Sequence, residues 1–150
     1  MPTLRHQIRI HAPIGRVWEV VGGDLTAVRH YNQTVASVRI ITEECHGIGA
    51  TRHCDLSPSG FVEERVWDWQ PPYTIGLEVA ASTWPVTFMK WRADLTSEGE
   101  STVMSQELAY NVKFGPLGVF MDMLMMRRKL DKSIGEVFAN LKRHVESGRG

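Results

Sequence analysis

Apolar and polar positions recur with two different periods along this chain, and the change of period marks out its elements. Leu4, His6, Ile8 and Ile10 alternate with Arg5, Gln7, Arg9 and His11, which predicts a half-buried strand. Pro13 suits the first turn of a helix; Ile14, Val17, Trp18 and Val21 give that helix an apolar side, and Gly22-Gly23 ends it. Asp24 is a good N-cap for a second short helix, with Leu25 and Val28 facing inward. From Thr34 to Val112 the helical period disappears. Turn signals at His46-Gly47-Ile48-Gly49, Ser57-Pro58-Ser59-Gly60, Pro71-Pro72, Ser82-Thr83-Trp84-Pro85 and Ser97-Glu98-Gly99-Glu100 divide this stretch. They predict six consecutive strands joined by short turns, a meander.

The helical period returns over 117–146. Val119, Phe120, Met123, Met126, Leu130, Ile134, Val137, Phe138, Leu141 and Val145 fall within roughly a third of a helical wheel. One helix over this range would be ~45 Å long. It must lie along something extended, and the strands supply it. A long helix laid across an antiparallel sheet leaves a space between the two, where function is expected. Met121, Leu124 and Met125 lie off the stripe, so the start of the helix is apolar nearly all round. That predicts cover by a loop, a homodimer contact, or a flexible Met-rich rim at a cavity mouth.

Length, charge and cysteine usage narrow the class. The 150 residues, 43% hydrophobic, fit a single domain over 1–150. Seventeen basic and seventeen acidic residues cancel, which excludes an overall field that would recruit nucleic acid. Arg127-Arg128-Lys129 reads as a solvated helix face. The N-terminus lacks the apolar core of a signal peptide, and the nearly apolar run from Leu117 to Met126 is about half a membrane span. The expectation is a cytoplasmic protein with no integral membrane segment. Cys45 would end one strand and Cys54 lie inside the next, ~13 Å apart after hairpin pairing at ~3.3 Å per residue. That is too far for a disulfide, which needs Cα atoms within ~7 Å. Six scattered histidines show no metal spacing, so neither a metal nor another cofactor is expected.

The order strand, two short helices, six strands, long helix resembles the helix-grip fold of the START, polyketide-cyclase and birch-pollen-allergen superfamily (SRPBCC) over essentially the whole chain. Ile10-His11-Ala12-Pro13 followed by Val17-Trp18 opens the chain as many members do. Gly47-Ile48-Gly49-Ala50-Thr51-Arg52 and Gly60-Phe61-Val62-Glu63-Glu64-Arg65-Val66 are similar to the family's third and fourth strands. Lys113-Phe114-Gly115-Pro116-Leu117-Gly118 enters the last helix in the family manner, with Leu141-Lys142 near its end. The resemblance implies an α+β fold: a curved seven-stranded antiparallel sheet wrapped around the C-terminal helix, enclosing a hydrophobic cavity.

Turn chemistry then predicts which side chains face that cavity. A three-residue loop after Ser57 would pair it with Phe61, Cys54 with Glu64 and Arg52 with Val66. Arg52, Cys54, Leu56, Val62, Glu64 and Val66 then share the inner face. Across Pro71-Pro72, Tyr73, Ile75, Leu77 and Val79 point in, as do Met89, Trp91, Ala93 and Leu95 on the sixth strand. Trp67 and Trp69 fall on the outer face in this register. The seventh strand leaves two registers open. One turns Val103, Ser105, Glu107 and Ala109 inward; the other turns Met104, Gln106, Leu108 and Tyr110 inward. The second set is more apolar, while the resemblance favours the first, because members with ligand pockets often carry an acidic residue at the place of Glu107.

The candidate ligand contacts are therefore Arg52, Cys54, Glu64, Val66, Tyr73, Leu77 and Val79, with Met89, Trp91, Ser105 and Glu107 on the later strands. Met123, Arg127 and Leu130 join them from the long helix. Arg52 and Glu64, as diagonal neighbours, either satisfy each other as a buried ion pair or orient the polar end of an apolar ligand. Arg127 in the apolar stripe either snorkels to a cavity edge or joins them. His6 reads as a hydrogen-bonded core residue, and Trp84-Pro85 lies where family members place a pocket gate. No nucleophile–base pair, phosphate loop or metal motif occurs in the sequence. The expected function is binding of a hydrophobic small molecule or lipid. A polyketide cyclase or aromatase-like enzyme using Glu64, Glu107 or Tyr110, and a protein-interaction module of the same fold, are the alternatives.

Overall fold

Alternation over the first ten residues produces β1 (Thr3–Ile10), in a computed structural model that describes residues 3–112, 125 and 127–147. Pro13 precedes α1 (Ile14–Trp18), which widens into a single π turn over Glu19–Gly23. A 3-10 helix over Leu25–His30 follows, capped by Asp24, whose carboxylate accepts from the Thr26 amide at 3.0 Å. Six strands come next: β2 (Val35–Ile40), β3 (Thr51–Leu56), β4 (Phe61–Gln70), β5 (Thr74–Ser82), β6 (Val86–Glu98) and β7 (Ser101–Val112). They form one antiparallel sheet in the order β1-β7-β6-β5-β4-β3-β2, and α2 (Arg127–Glu146) lies across it. This is the helix-grip arrangement. Cys45 belongs to the loop after β2 rather than to a strand end, and both cysteines are free. Val119, Phe120, Met121, Met123, Leu124 and Met126, expected at the start of the long helix, lie outside the described residues, while Met125 is exposed.

Directly opposed residues of an antiparallel pair share a face, so the ladder registers define the inside. One inner row runs Val66, Leu77, Trp91, Leu108 and Leu4 across β4, β5, β6, β7 and β1. The hairpin between β3 and β4 is offset by two residues from expectation: Cys54 opposes Val62 and Arg52 opposes Glu64 directly. The reason is the loop, which spans Ser57 to Gly60 and closes with the Leu56 amide donating to the Gly60 carbonyl at 2.9 Å. An offset of two preserves every face, because the side-chain period is two.

A bulge on β4 does change faces. Val66 opposes Leu77, but Asp68 opposes Gly76, which leaves Trp67 as the extra residue. Trp67 stays on the outer side beneath the Lys90 ammonium, 3.8 Å from its ring centroid. Trp69 is turned inward, against expectation, where it packs on Trp18.

The apolar stripe of α2 has two halves. Phe138, Leu141 and Val145 are buried in the main core, while Leu130, Ile134 and Val137 are only partly covered. Polar contacts fasten one edge of the helix to β1 and the segment after it. The His6 ring nitrogen Nε2 lies 2.7 Å from Asp131, Lys142 donates to the Arg9 carbonyl, and Glu146 accepts from the His11 amide. Among the described residues no helix is long and apolar enough to cross a membrane.

Candidate functional site

Sheet and helix part where the stripe of α2 loses its cover, leaving a cavity of about 190 Å³. Its sheet side is Ile75, Leu77, Trp91, Ala93, Met104 and Leu108. Its helix side is Leu130, Ser133, Ile134, Val137 and Phe138. Trp84 and Met89 close one flank, and Val28, Tyr31, Asn32 and Thr34 close another. The main core and a smaller cluster around Leu4, Val86, Leu108 and Tyr110 meet here, with Trp84, Trp91 and Ile134 packing against both. The void sits at the seam between two packed units.

One wall is charged. Arg52 and Glu64 are both about 95% buried and joined Nε to Oε1 at 2.9 Å. Arg52 also donates through Nη1 to the Leu25 carbonyl at 2.9 Å, anchoring the 3-10 helix to the sheet. The Tyr31 hydroxyl stands beside the same guanidinium. Burial alone would make Arg52 easier to deprotonate, but Glu64 and the neighbouring Tyr31 and Cys54 more than offset this and hold its pKa above the ordinary value. Burial raises the Tyr31 pKa, Arg52 opposing it, so the phenol keeps its proton. Cys54, behind this pair, has its thiol pushed up to about 11, again by burial first.

Of the residues expected from sequence, Arg52, Glu64, Leu77, Met89, Trp91 and Leu130 line the cavity. Cys54, Val66 and Val79 are on the inner side but packed into the core around it. Four lie elsewhere. Tyr73 closes the Pro71-Pro72 turn by donating its amide to the Gln70 carbonyl, so β5 begins one residue later and the Tyr73 ring is exposed. Ser105 and Glu107 are on the outer face, because Leu4, His6 and Ile8 of β1 oppose Leu108, Gln106 and Met104. Glu107 pairs there with Arg5 at 3.2 Å. Arg127 donates to the Thr3 carbonyl at 2.9 Å at the exposed edge of α2. Met123 is outside the described residues.

Tyr31 and Gln106 are not among the expected contacts. Tyr31 caps the C-terminal end of the 3-10 helix three residues after the inward-facing Val28, and that spacing is a usable signal for the first. Gln106 belongs to the more apolar of the two β7 registers, the one the structure adopts. His6 makes an edge contact with Phe138 on the inner side, its ring centroid 5.8 Å away. No group of three or more metal-ligating side chains occurs among the described residues.

A curved sheet closed on a C-terminal helix around an apolar cavity defines a helix-grip protein. The family model for polyketide cyclases/dehydrases and lipid transport proteins matches residues 1–146, and the chain belongs to that family. No curated protein matches it in sequence. Among solved structures, a START superfamily protein from Mycobacterium smegmatis superposes with a TM-score of 0.80 at 16% identity, over 97% of each chain. A protein from Thermus thermophilus gives 0.78 at 18% identity, over 99% of this chain and 100% of its own. The di-domain ARO/CYC protein BexL from the BE-7585A biosynthetic pathway gives 0.79 at 18% identity, covering 97% of this chain and 47% of that one. At these identities the likeness is one of fold.

Proposed function

We propose that this chain binds a compact, mostly apolar small molecule between its sheet and α2. The observation that carries this reading is an apolar void of about 190 Å³ bounded on one wall by a buried, hydrogen-bonded ion pair. Small-molecule sites are mainly apolar with a few convergent polar groups. A dry cavity of ~150 Å³ accepts benzene, so the volume favours a small ring system over a long-chain lipid. Two free thiols fit a reducing, cytoplasmic setting.

Titration with an environment-sensitive apolar dye tests the proposal. The expected result is saturable binding near one equivalent to the folded protein, lost in Ala93→Phe, which fills the cavity floor. Equal, unsaturable binding to both proteins would sink it.

A second reading, a cyclase- or dehydratase-like enzyme, draws on Tyr31, Arg52 and Glu64 meeting at one wall, where a phenol and a carboxylate can exchange protons with a bound carbonyl compound. Family membership supports it. Turnover of such a compound that Tyr31→Phe abolishes while binding persists would favour this reading over simple binding.

A further inference from the structure

We infer that the cavity selects neutral ligands whose polar end both donates and accepts a hydrogen bond, and rejects the matching carboxylates, with Glu64 as the selecting residue. This rests on the binding reading above and specifies its ligand. Among the described residues that line the cavity, only Arg52 and Glu64 carry a formal charge, and they cancel. The site therefore has no net positive charge to offer an anion, although it contains an arginine.

The hydrogen-bonding inventory is equally selective. Arg52 spends Nε on Glu64 Oε1 and Nη1 on the Leu25 carbonyl. Glu64 Oε2 makes no hydrogen bond among the described residues, which leaves an acceptor at the wall. A guanidinium carries five N–H donors, so Arg52 keeps N–H groups to give beyond its bonds to Glu64 and Leu25, and Tyr31 lines the same cavity. A free acceptor beside free donors complements a primary amide, a hydroxyl or an enol. A carboxylate offers acceptors alone, and an oxygen placed against Glu64 Oε2 would set two negative charges together at a wall whose net charge is zero. Such like-charge juxtaposition is a strong source of discrimination.

The test compares 4-propylbenzamide, 4-propylbenzoate and propylbenzene by calorimetry near pH 7. The amide and the carboxylate have nearly the same shape and differ chiefly in charge. The expected result is that the amide binds at least ~10-fold tighter than the benzoate. Glu64→Gln should narrow that gap about tenfold or reverse it, since Arg52 then faces the ligand uncompensated. Benzoate binding as tight as amide binding in the wild-type protein overturns the inference, and this comparison does not depend on the variant folding. A folded Glu64→Gln protein with an unchanged gap overturns the role of Glu64. Failure of propylbenzene and the amide alike to bind would overturn the binding reading itself.

Discussion

The Trp67 ring lies flat against Gly76: a Cβ placed on that glycine would stand 2.5 Å from ring atom Cε2 and 2.7 Å from Nε1. The β4 bulge puts Trp67 in this position, and its indole N–H donates to the Trp91 carbonyl at 3.2 Å. Gly76→Ala should cost ~1–3 kcal/mol, the usual penalty for overpacking, measured by urea unfolding. Trp67→Val should relieve it, so the double variant should lose less than the sum of the two singles. Strict additivity would show that the ring simply moves aside.

Arg52 and Glu64 make a second prediction about stability. Arg52→Leu leaves a buried carboxylate without its partner and should cost ~3–5 kcal/mol. Arg52→Leu combined with Glu64→Leu should recover most of that loss, because an apolar pair removes the uncompensated charge. Equilibrium unfolding of the three proteins decides this. A double variant as weak as the single one would mean that the bond from Arg52 to the Leu25 carbonyl is the larger contribution.

The inward register of β7 predicts opposite outcomes at adjacent residues. Leu108→Ala, in the cavity wall and buried, should destabilise by ~2–5 kcal/mol and alter dye binding. Glu107→Ala removes an exposed ion pair with Arg5 and should cost no more than ~1 kcal/mol with dye binding unchanged. Unfolding and dye titration on both variants check the pair of expectations.

His53, on the outer face, has Nδ1 2.8 Å from Glu63 and Nε2 3.1 Å from Asp55, and its pKa is raised, first by the Glu63 hydrogen bond. A histidine whose folded pKa is raised contributes stability that is complete below its unfolded value of ~6.5 and fades as pH rises through the folded value. The Tm difference between wild type and His53→Gln should therefore shrink from about pH 6 to about pH 9. Asp55 behaves oppositely. Its pKa is lowered, first by the Ser37 hydroxyl and then by His53, so its contribution holds above the ordinary carboxylate value and is lost as pH falls through the depressed one. A Tm difference that grows with pH would contradict the ring bonds.

Thiol labelling offers a simple check on the inner face. Cys45 is exposed, whereas Cys54 is fully buried with its thiol pushed up to about 11. At about pH 8 a disulfide reagent should modify one thiol per folded chain quickly and the second only after unfolding. Two rapid equivalents in the folded protein would mean that β3 is open to solvent.

The order of elements was readable in the chain because local rules govern it. Period-two alternation, Gly and Pro at turns, and Asp24 as a cap act within a few residues, and each element they predict is present where it is described. Faces on β3, β5 and β6 followed for the same reason, since alternation survives even the two-residue offset of the β3–β4 hairpin. Three features required partners distant in sequence. The register of β7 is dictated by Leu4 and Ile8 on β1 and by Trp91 and Leu95 on β6, all of which need apolar neighbours on the inside; the family resemblance that favoured an inward Glu107 carries no information about these partners. The bulge at Trp67 exists because Gly76, on the neighbouring strand, leaves room for the ring. Tyr31 reaches Arg52 only because the 3-10 helix packs over the sheet and is held there through the Leu25 carbonyl. Side-chain direction along one strand is a property of the local backbone. Which direction is inside, and which polar groups meet there, is decided by contacts that form only when the sheet closes on the helix.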